Sequence, residues 1–477
     1  MSVDRSQKRW SEVEGQRHMW RVRRVLAAMV IGVAWTAAVG AVRTSSAADS
    51  RDSSSIHLLP GLETQVEFWK GIFATYSTHE VVIHDTAHLD RVYEVLDFGT
   101  LAEGGLSDAE VAAYAKDKVR EEKERVRGML LRLHQLGPGA AELTGEERKI
   151  GAMFSHATEP FPYLEAAAED RIRAQWGLRE RFAGGVEVSR RYLPEMEAIF
   201  RHAGLPWELT RLPLVESCFN IRAYSKVGAA GVWQFMPSTG RLYMRVDNAV
   251  DERRDPIVST RAAAEHLRAN YDVLGSWPLA VTAYNHGRAG MVHAVAAVGS
   301  SDLVDIVRSY NGPGFKFASR NFYAEFLAAL DVEQHFDEYF GPLRAHQPLR
   351  AQTVIVPDAT GLRALASAAN TDVDTLTDLN PALSPAVVTG RVPVPRGYEL
   401  RVPPGGAAGF ATRYASLPRP AAHAHAAKGA AHHARVTVAA KKHHRATVAA
   451  TRHRKGSAKV TRVRARQRPV VPPDREA

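Results

Sequence analysis

Apolar residues recur at helical spacing along much of the chain, and capping signals mark where helices begin. Ser107 and Glu110 form a capping box ahead of a long, charged, amphipathic stretch. Thr144 and Glu147 repeat that signal. We therefore predict a mostly helical extension over residues 49–190, although the short apolar runs ahead of the first capping box indicate no clear structure.

The middle of the chain, residues 191–345, also has a helical pattern. One helix is predicted over residues 187–203, and Gly204 and Pro206 end it. Beyond Trp207 the alternation of apolar and polar residues that is typical of strands is nearly absent. The expected fold class is therefore mainly α.

Residues 350–404 have a different pattern. A β-branched run over residues 353–356 is followed by two short helical stretches and a closing strand over residues 398–402. Prolines mark both ends of the unit, at Pro357 and Pro403. This order predicts a compact β-α-α-β module.

The N-terminus has the pattern of an export signal. A cluster of arginines precedes an uncharged run over residues 25–42, and the small residues that follow suit a cut after Ala48. Residues 1–48 are thus expected to be a signal peptide that sends the protein to the periplasm or cell envelope. A retained membrane anchor is the alternative, because the run of 18 residues is near the lower limit for spanning a bilayer.

The net charge of +10 is concentrated at the end of the chain. Residues 418–477 contain 15 Lys and Arg against two acids, so the rest of the chain is slightly acidic. This tail has no aromatic residue, and it cannot bury enough apolar surface to offset its ordering entropy. We expect a disordered polycation.

The tail suggests a partner of opposite charge. Anionic envelope polymers or lipid are the expected partners. Its seven histidines could bind a metal, but their spacing does not repeat. Nucleic acid is not expected, because the tail offers no aromatic ring for base stacking and an exported protein would not meet it.

The chain has a single cysteine, Cys218. An internal disulfide and a CxxC metal or redox site are therefore excluded, and we expect neither a metal nor a cofactor. A cysteine nucleophile with His202 or His286 as its base is a weak alternative. A lone cysteine in an apolar stretch is more often a small buried hydrophobe.

Glu216 is the first candidate for chemistry. It stands at the end of an apolar run over residues 212–215. A carboxylate there loses hydration, so its pKa is expected to rise and keep the acid protonated near neutral pH, as general acid catalysis requires. A structural ion pair with Arg211 or Arg222 is the alternative, and composition alone favours it.

Two further islands carry groups that suit a sugar. Residues 231–237 offer aromatic faces and an amide, provided by Trp233, Gln234, Phe235 and Met236. Tyr284 and Asn285 stand at a probable helix end, with Gly287 as its terminator. Taken alone, each island is explained as well by a core segment or a helix cap.

Taken together and in order, these islands resemble the motifs of the family 23 lytic transglycosylases, which carry an SLT domain. The resemblance rests on Glu216-Ser217, on the stretch from Gly231 to Pro237 and on Ala283 to Gly287, and it spans roughly residues 200–335. It implies a lysozyme-like helical domain with a groove for a glycan strand of peptidoglycan.

The resemblance also implies a mechanism. Glu216 would protonate the oxygen between N-acetylmuramic acid and N-acetylglucosamine. It would then take a proton from the sugar's own C6 hydroxyl, which gives 1,6-anhydro ends without water. The remaining matched residues would bind substrate or brace the acid, namely Ser217, Trp233, Gln234, Phe235, Met236, Tyr284 and Asn285.

Two departures limit the likeness. The family often has a Tyr after the Asn of its last helical motif, where this chain has Phe322, with Tyr323 next to it. Residues 350–404 resemble a LysM module, which binds N-acetylglucosamine-containing glycans, but the usual Gly-Asp-Thr is replaced by residues 357–359. The module's fold is therefore a firmer expectation than its affinity for sugar. A goose-type lysozyme-like hydrolase and a non-catalytic cell-wall-binding protein stay open as alternatives.

Overall fold

The structure is a computed structural model that describes residues 56–342 and 344–417. The predicted signal peptide, the alternative anchor over residues 25–42 and the basic tail lie outside these residues. Within them, no helix by itself has the length and apolar character to cross a bilayer. One pair of helices bent by 82°, Arg288–Val298 and Leu303–Ser309, meets those criteria only when taken together.

The N-terminal part combines helices with a small antiparallel sheet. Its helices are α1 (Glu63–Ala74), α2 (Gly99–Glu103), α3 (Asp108–Leu136), α4 (Gly145–Ala152) and α5 (Pro162–Ala166). Its strands are β1 (Glu80–Asp85), β2 (Val92–Asp97) and β3 (Ile172–Trp176). The strands lie in the order β2-β1-β3, with Val82 opposite Val95 and Gln175.

Both capping boxes are confirmed. The Ser107 side chain accepts from the backbone N–H of Glu110, and the Glu110 side chain accepts from the N–H of Ser107. Thr144 and Glu147 make the same pair of bonds at the start of α4. Each box satisfies two backbone donors that a helix start leaves unpaired.

The sheet in this part was not predicted. β1 is buried along nearly its whole length, and its apolar residues form a short run over residues 81–83 without alternation. Such a run cannot be told from a buried helix segment by periodicity. Its partner β3 lies far away in sequence, beyond four helices.

The middle of the chain is almost entirely helical, as expected. Its helices are α6 (Arg179–Ser189), α7 (Leu193–His202), α8 (Leu212–Ser217), α9 (Pro237–Tyr243), α10 (Pro256–Leu274), α11 (Trp277–His286), α12 (Arg288–Val298), α13 (Leu303–Ser309), α14 (Phe317–Gln334) and α15 (Phe336–Phe340). Two 3₁₀ helices, Trp207–Arg211 and Glu252–Arg254, precede α8 and α10.

The single helix predicted over residues 187–203 is wrong. The chain instead forms α6 and α7 with a break between them. Pro194 occupies the first turn of α7. A proline lacks the backbone N–H that would continue the preceding helix, and it disfavours helical geometry in the residue before it.

The main apolar core crosses the boundary that we expected at residue 190. Helix α1 packs along α14, and the Phe73 ring stacks on Phe182 with centroids 4.7 Å apart. The Tyr323 hydroxyl on α14 donates to the backbone oxygen of His57 at 2.8 Å. The first described residues are thus built into the same core as the helices of the middle part.

Residues 350–417 build a smaller core of their own, separate from the main core and from a further one in the N-terminal part. The elements are β4 (Gln352–Ile355), α16 (Leu362–Ala368), α17 (Val373–Leu379), α18 (Pro385–Val388), β5 (Glu399–Val402) and α19 (Phe410–Ala415). Strands β4 and β5 pair antiparallel, with Val354 opposite Leu400. The β-α-α-β order matches the prediction, with α18 added before the closing strand; the likeness to LysM modules stays a prediction. We call residues 350–417 the C-terminal module.

Candidate active site

Glu216 lies in the last turn of α8, a short helix set in the main core. Leu212 and Leu214 are buried, whereas Glu216 is half-buried. Beyond the helix, Cys218 and Phe219 both adopt left-handed backbone conformations, with φ of 46° and 55°. Such conformations are strained for side-chain-bearing residues and persist only where the surroundings impose them.

Packing supplies that constraint. The Phe219 ring is 1% exposed and stacks on Tyr192 at 6.2 Å. On the other side, α6 passes so close that a Cβ added to Gly185 would lie 2.3 Å from the Cys218 backbone oxygen. The carboxylate-bearing helix is therefore fixed at its end from two directions.

The two arginines considered as ion-pair partners of Glu216 have other contacts. Arg211 is buried, and its Nε donates to Glu333 at 3.1 Å while its Nη1 contacts Glu197. Arg222 is exposed and lies 3.7 Å from Asp378. Arg211 thus anchors the start of α8 to α14 and α7.

Ser217 connects α8 to the second motif. Its hydroxyl lies 3.0 Å from the Val232 backbone oxygen and 3.2 Å from that of Pro213. We call residues 228–236, which include Val232, the Gln234 loop. Ser217 is therefore a brace between this loop and the helix of Glu216.

The Gln234 loop alternates inward and outward side chains. Trp233 and Phe235 are buried, whereas Gln234 and Met236 are half-buried. Gln234 has a φ of 48°, and its Nε2 donates to the Gly231 backbone oxygen at 2.7 Å. A Cβ at Gly231 would lie 1.9 Å from the Arg253 backbone oxygen, so the loop needs glycine there.

This burial corrects two of the predicted substrate contacts. The Trp233 ring lies 5.9 Å from that of Phe200 and nearly parallel to it, and its Nε1 donates to the Thr260 hydroxyl at 2.9 Å. Trp233 is 0% and Phe235 3% exposed. Neither ring has a face open to a sugar, so both serve the core rather than the substrate.

Tyr284 connects the third motif to the same loop. Its hydroxyl donates to the Trp233 backbone oxygen at 2.8 Å. Its ring meets Phe235 edge-on at 6.0 Å and His266 at 5.5 Å. The three motifs, separated in sequence, are thus joined through the backbone oxygens of two adjacent loop residues.

Asn285 is held by a residue that the motifs did not single out. The Ser319 hydroxyl at the start of α14 donates to Asn285 Oδ1 at 2.9 Å and lies 3.5 Å from His286 Nδ1. Ser319 stands two residues before Asn321 in the last helical motif. Helical spacing there could have suggested that it faces the same side as Phe322.

The last helical motif supplies no hydroxyl next to Glu216 from either of its aromatic residues. Phe322 is buried, and Tyr323 is 1% exposed with its hydroxyl on the His57 backbone. Tyr323 therefore does not supply the hydroxyl of the Tyr that the family often has at position 322.

Arg253 is a further residue that sequence reasoning missed. It is 2% exposed, and its Nη1 donates to the backbone oxygens of Gly228 at 2.7 Å and Phe235 at 2.9 Å. Its Nε and Nη2 bind the Asp251 carboxylate at 2.8 and 2.7 Å. One guanidinium thus holds both ends of the Gln234 loop.

Burial shifts the pKa of three groups around the motifs towards their neutral forms. Burial raises the pKa of the Cys218 thiol to about 12, so thiolate is scarce at neutral pH and a cysteine nucleophile is disfavoured. Burial, with a smaller contribution from Arg288, lowers the pKa of His266 to about 4. Burial also lowers the pKa of His286.

In the described parts of the chain, no group of His, Cys, Asp and Glu could hold a metal ion. One cavity of about 670 Å³ lies between α7 and α10, lined by residues such as Ile199 and Ala264. Another of about 350 Å³ lies where the C-terminal module meets the middle part, lined by Tyr398 and Arg401 among others. The predicted site residues line neither cavity.

Comparison with known proteins identifies the helical middle part. Residues 197–303 match the family described as "Transglycosylase SLT domain". Membrane-bound lytic murein transglycosylase D of Escherichia coli (strain K12) is 44% identical over 93 residues, which are 19% of this chain and 21% of the relative. A putative tributyltin chloride resistance protein of Alteromonas sp. (strain M-1) is 38% identical over 98 residues, covering 20% of this chain and 46% of that protein.

Two solved structures of lytic transglycosylases also align with part of this chain. The 70 kDa soluble lytic transglycosylase of Escherichia coli aligns with 30% of this chain and 24% of its own, at 20% identity and a TM-score of 0.26. The lytic transglycosylase Slt of Pseudomonas aeruginosa, an inactive mutant, aligns with 32% and 25%, at 18% identity and a TM-score of 0.26. The chain matches about a fifth of the length of transglycosylase D. Residues 197–303, which include all three motifs, match the transglycosylase SLT domain family, and we call them the SLT domain.

Proposed function

We propose that this protein is a peptidoglycan lytic transglycosylase that cleaves the bond between N-acetylmuramic acid and N-acetylglucosamine without water. The observation that carries the proposal is the joining of the three motifs. Ser217, next to Glu216, bonds the Val232 oxygen, and Tyr284 bonds the neighbouring Trp233 oxygen. A chance match of short sequence motifs does not predict that the matched segments are hydrogen-bonded to one another.

Glu216 acts twice in the proposed reaction. As an acid it gives its proton to the glycosidic oxygen, and the bond from that oxygen to C1 of the muramic sugar breaks. As a carboxylate it then takes the proton of the C6 hydroxyl, whose oxygen bonds to C1. The proton count on Glu216 is restored, and the sugar supplies its own nucleophile.

The half-buried polar residues take the supporting roles. Gln234 and Asn285 offer amides to sugar hydroxyls and acetamido groups, and Met236 offers an adaptable apolar contact. Ser217 and Tyr284 brace the Gln234 loop against the helices of the first and third motifs. Trp233 and Phe235 support the loop from the core side and do not touch the glycan.

The test is a digest of purified peptidoglycan with product analysis by mass spectrometry. The wild-type protein is expected to release muropeptides with 1,6-anhydro ends. Glu216→Gln keeps the shape of the side chain but cannot exchange a proton, so release should fall by at least about a hundredfold. Glu208→Gln, a half-buried glutamate in the preceding 3₁₀ helix, is the matched control and should retain full activity. Wild-type activity in Glu216→Gln would contradict the assignment of the acid.

A hydrolase of goose-lysozyme type is the second candidate, and one observation favours it. Burial is the main cause of the raised pKa of Cys218, which stands two residues after Glu216, and the negative charge of Glu325 on α14 adds to it. A second carboxylate is what most glycosidases use to activate water or bind C1. Reducing ends in place of anhydro ends, together with loss of activity in Glu325→Gln, would establish this candidate; absence of any release would indicate a non-catalytic wall-binding protein.

We also propose that the protein is exported to the cell envelope and that its basic tail binds anionic envelope polymers or lipid. The proposal rests on the arginine-led apolar run near the N-terminus and on the charge of residues 418–477. Deleting residues 418–477 should weaken pelleting with cell walls most at low salt, because screening grows with ionic strength. Pelleting that is unchanged at every salt concentration would contradict the role of the tail.

A further inference from the structure

The C-terminal module is seated on the segment that leads into α10. The Asp251 N–H donates to the Ala382 backbone oxygen at 2.8 Å, and the Ser384 N–H donates to the Ala249 oxygen at 3.0 Å. Between them, Val250 is 0% exposed and belongs to the core of the module. A residue of the SLT domain thus completes the apolar core of its neighbour.

A buried ion pair fastens the same contact. Arg401 on β5 binds the Asp255 carboxylate through both terminal nitrogens, with Nη2 3.1 Å from Oδ1. Asp255 is 2% exposed and also caps α10, accepting from the backbone N–H groups of Ile257 and Val258 at 2.9 and 3.1 Å. A carboxylate buried this deeply must keep its partners, because an unpaired buried charge is costly.

Arg253 lies between these two aspartates in sequence, and its guanidinium contacts the Gln234 loop. Asp251, whose backbone pairs with the module, holds the guanidinium that binds the Gly228 and Phe235 oxygens. The short 3₁₀ helix Glu252–Arg254 therefore carries the module on one side and the Gln234 loop on the other.

A second route joins the same two places. Helix α10, which Asp255 caps, carries Thr260, whose hydroxyl accepts the Trp233 Nε1 bond. The Gln234 loop is therefore fixed at both ends through Arg253 and in the middle through Thr260. Both supports start at residues that the module contacts.

We propose that the C-terminal module is a positioning element of the active site, with Arg401 and Arg253 as positioning residues, rather than a separately tethered binding module. Docking of the module on residues 249–255 holds Asp251 and Asp255. Through Arg253 and α10 these hold the Gln234 loop, whose residues Gly231 and Gln234 need a left-handed backbone. The proposal rests on the proposed transglycosylase function, because that function gives the loop its catalytic meaning.

The test removes the contact from the module side in the full-length protein. Arg401→Gln should lower kcat on uncross-linked glycan strands by about tenfold, since small misplacements of catalytic groups cost at least that much, and should change KM by less than about twofold. Combined with Arg253→Lys, the loss in kcat should be smaller than the product of the single losses, because both act through one segment. Arg401→Lys keeps the charge beside Asp255 and should restore part of the rate.

The matched control breaks an equally buried pair elsewhere. Arg171 binds Asp85, which is 0% exposed, in the N-terminal part. Arg171→Gln should lower thermal stability about as much as Arg401→Gln while leaving kcat unchanged. Equal losses of kcat in the two variants would overturn the proposal, because stability alone would then explain them.

Hydrogen exchange gives a readout that does not depend on activity. Arg401→Gln should speed exchange of the backbone amides in residues 228–236, and Arg171→Gln should not. Unchanged protection of these amides, or a wild-type kcat in Arg401→Gln, would overturn the proposal. Absence of anhydro ends from the wild-type digest would instead contradict the proposed function, and the exchange result would still decide whether the module holds the loop.

Discussion

One buried and one half-buried histidine, His84 and His266, give the fold a dependence on pH. His84 on β1 is 0% exposed, and its ring packs against Phe68 at 4.5 Å and Phe317 at 5.6 Å. Burial lowers its pKa to about 4, opposed in part by the backbone oxygen of Asp85. His266 on α10 has its pKa lowered to about 4 by burial as well. Both rings are therefore neutral in the folded protein at pH 7.

We predict that the free energy of unfolding falls as the pH is lowered from about 6.5 to about 4. An unfolded histidine has a pKa near 6.5, so in this window the unfolded chain binds protons that the folded chain does not. The stability is complete above the pKa of the unfolded histidine and is lost as the pH falls towards the pKa of the folded one. For His84 the loss at pH 4 is about 3 kcal/mol.

The measurement is urea unfolding across this pH range, with His84→Gln compared at each point. The variant should be less stable than the wild type at pH 7 but should show a flatter pH dependence. A wild-type protein whose stability is constant between pH 6.5 and 4 would contradict the prediction.

At this scale the sequence identified positions better than it identified roles. Ser217 and Tyr284 both bond backbone oxygens of the Gln234 loop, which joins the three motifs. The catalytic role of Glu216 stays a prediction. The roles of Trp233 and Phe235 were wrong, because an aromatic side chain suits a sugar and a core equally well. Whether the ring faces the core or the substrate depends on the backbone of an irregular loop. Such a loop lacks the helical or strand periodicity from which a side chain's direction can be predicted.

At the scale of elements, the approach of α6 to α8 depends on one glycine. A methyl group at Gly185 would collide with the Cys218 backbone oxygen at 2.3 Å, whereas one at its neighbour Gly184 would touch nothing within 4 Å. Both glycines lie inside the same helix. They form a natural pair of test sites.

We predict opposite effects of the two alanine substitutions. Gly184→Ala should stabilise the protein by about 0.5–1 kcal/mol, through helix propensity alone. Gly185→Ala should destabilise it by about 1–3 kcal/mol and lower the cleavage rate, because α8 must shift together with Glu216. Thermal unfolding and the peptidoglycan digest measure the two effects, and a stable, fully active Gly185→Ala protein would refute this account of the contact.

Elements with local signals were predicted well, and those set by distant contacts were not. The starts of α3 and α4 are fixed by side chains within one turn, so Ser107 and Thr144 revealed them. The three-stranded sheet depends on pairing β1 with β3 across most of the N-terminal part, which leaves no local mark. Pro194 is a local signal for the break between α6 and α7. The prediction of one helix followed the spacing of the apolar residues instead of this proline.

At the scale of the whole molecule, apolar cores extend across the parts that the sequence predicts. The fold class agrees with the sequence, whereas the domain bounds stay a prediction. Helix α1 shares a core with α14, and Val250 of the SLT domain shares one with the C-terminal module. Composition changes mark where a chain alters its local pattern, whereas cores are defined by contacts that composition cannot show.

The hydrogen bond between Tyr323 and His57 has a mechanical consequence. It fixes the first described residues to α14, and α1 then lies along that helix. A pull applied to the chain ahead of His57 would act first on this hydrogen bond and then on the contact of α1 with α14, which belongs to the main apolar core. Because α1 precedes β1 in the chain, a protein held by its N-terminal end would load this core before its small sheet.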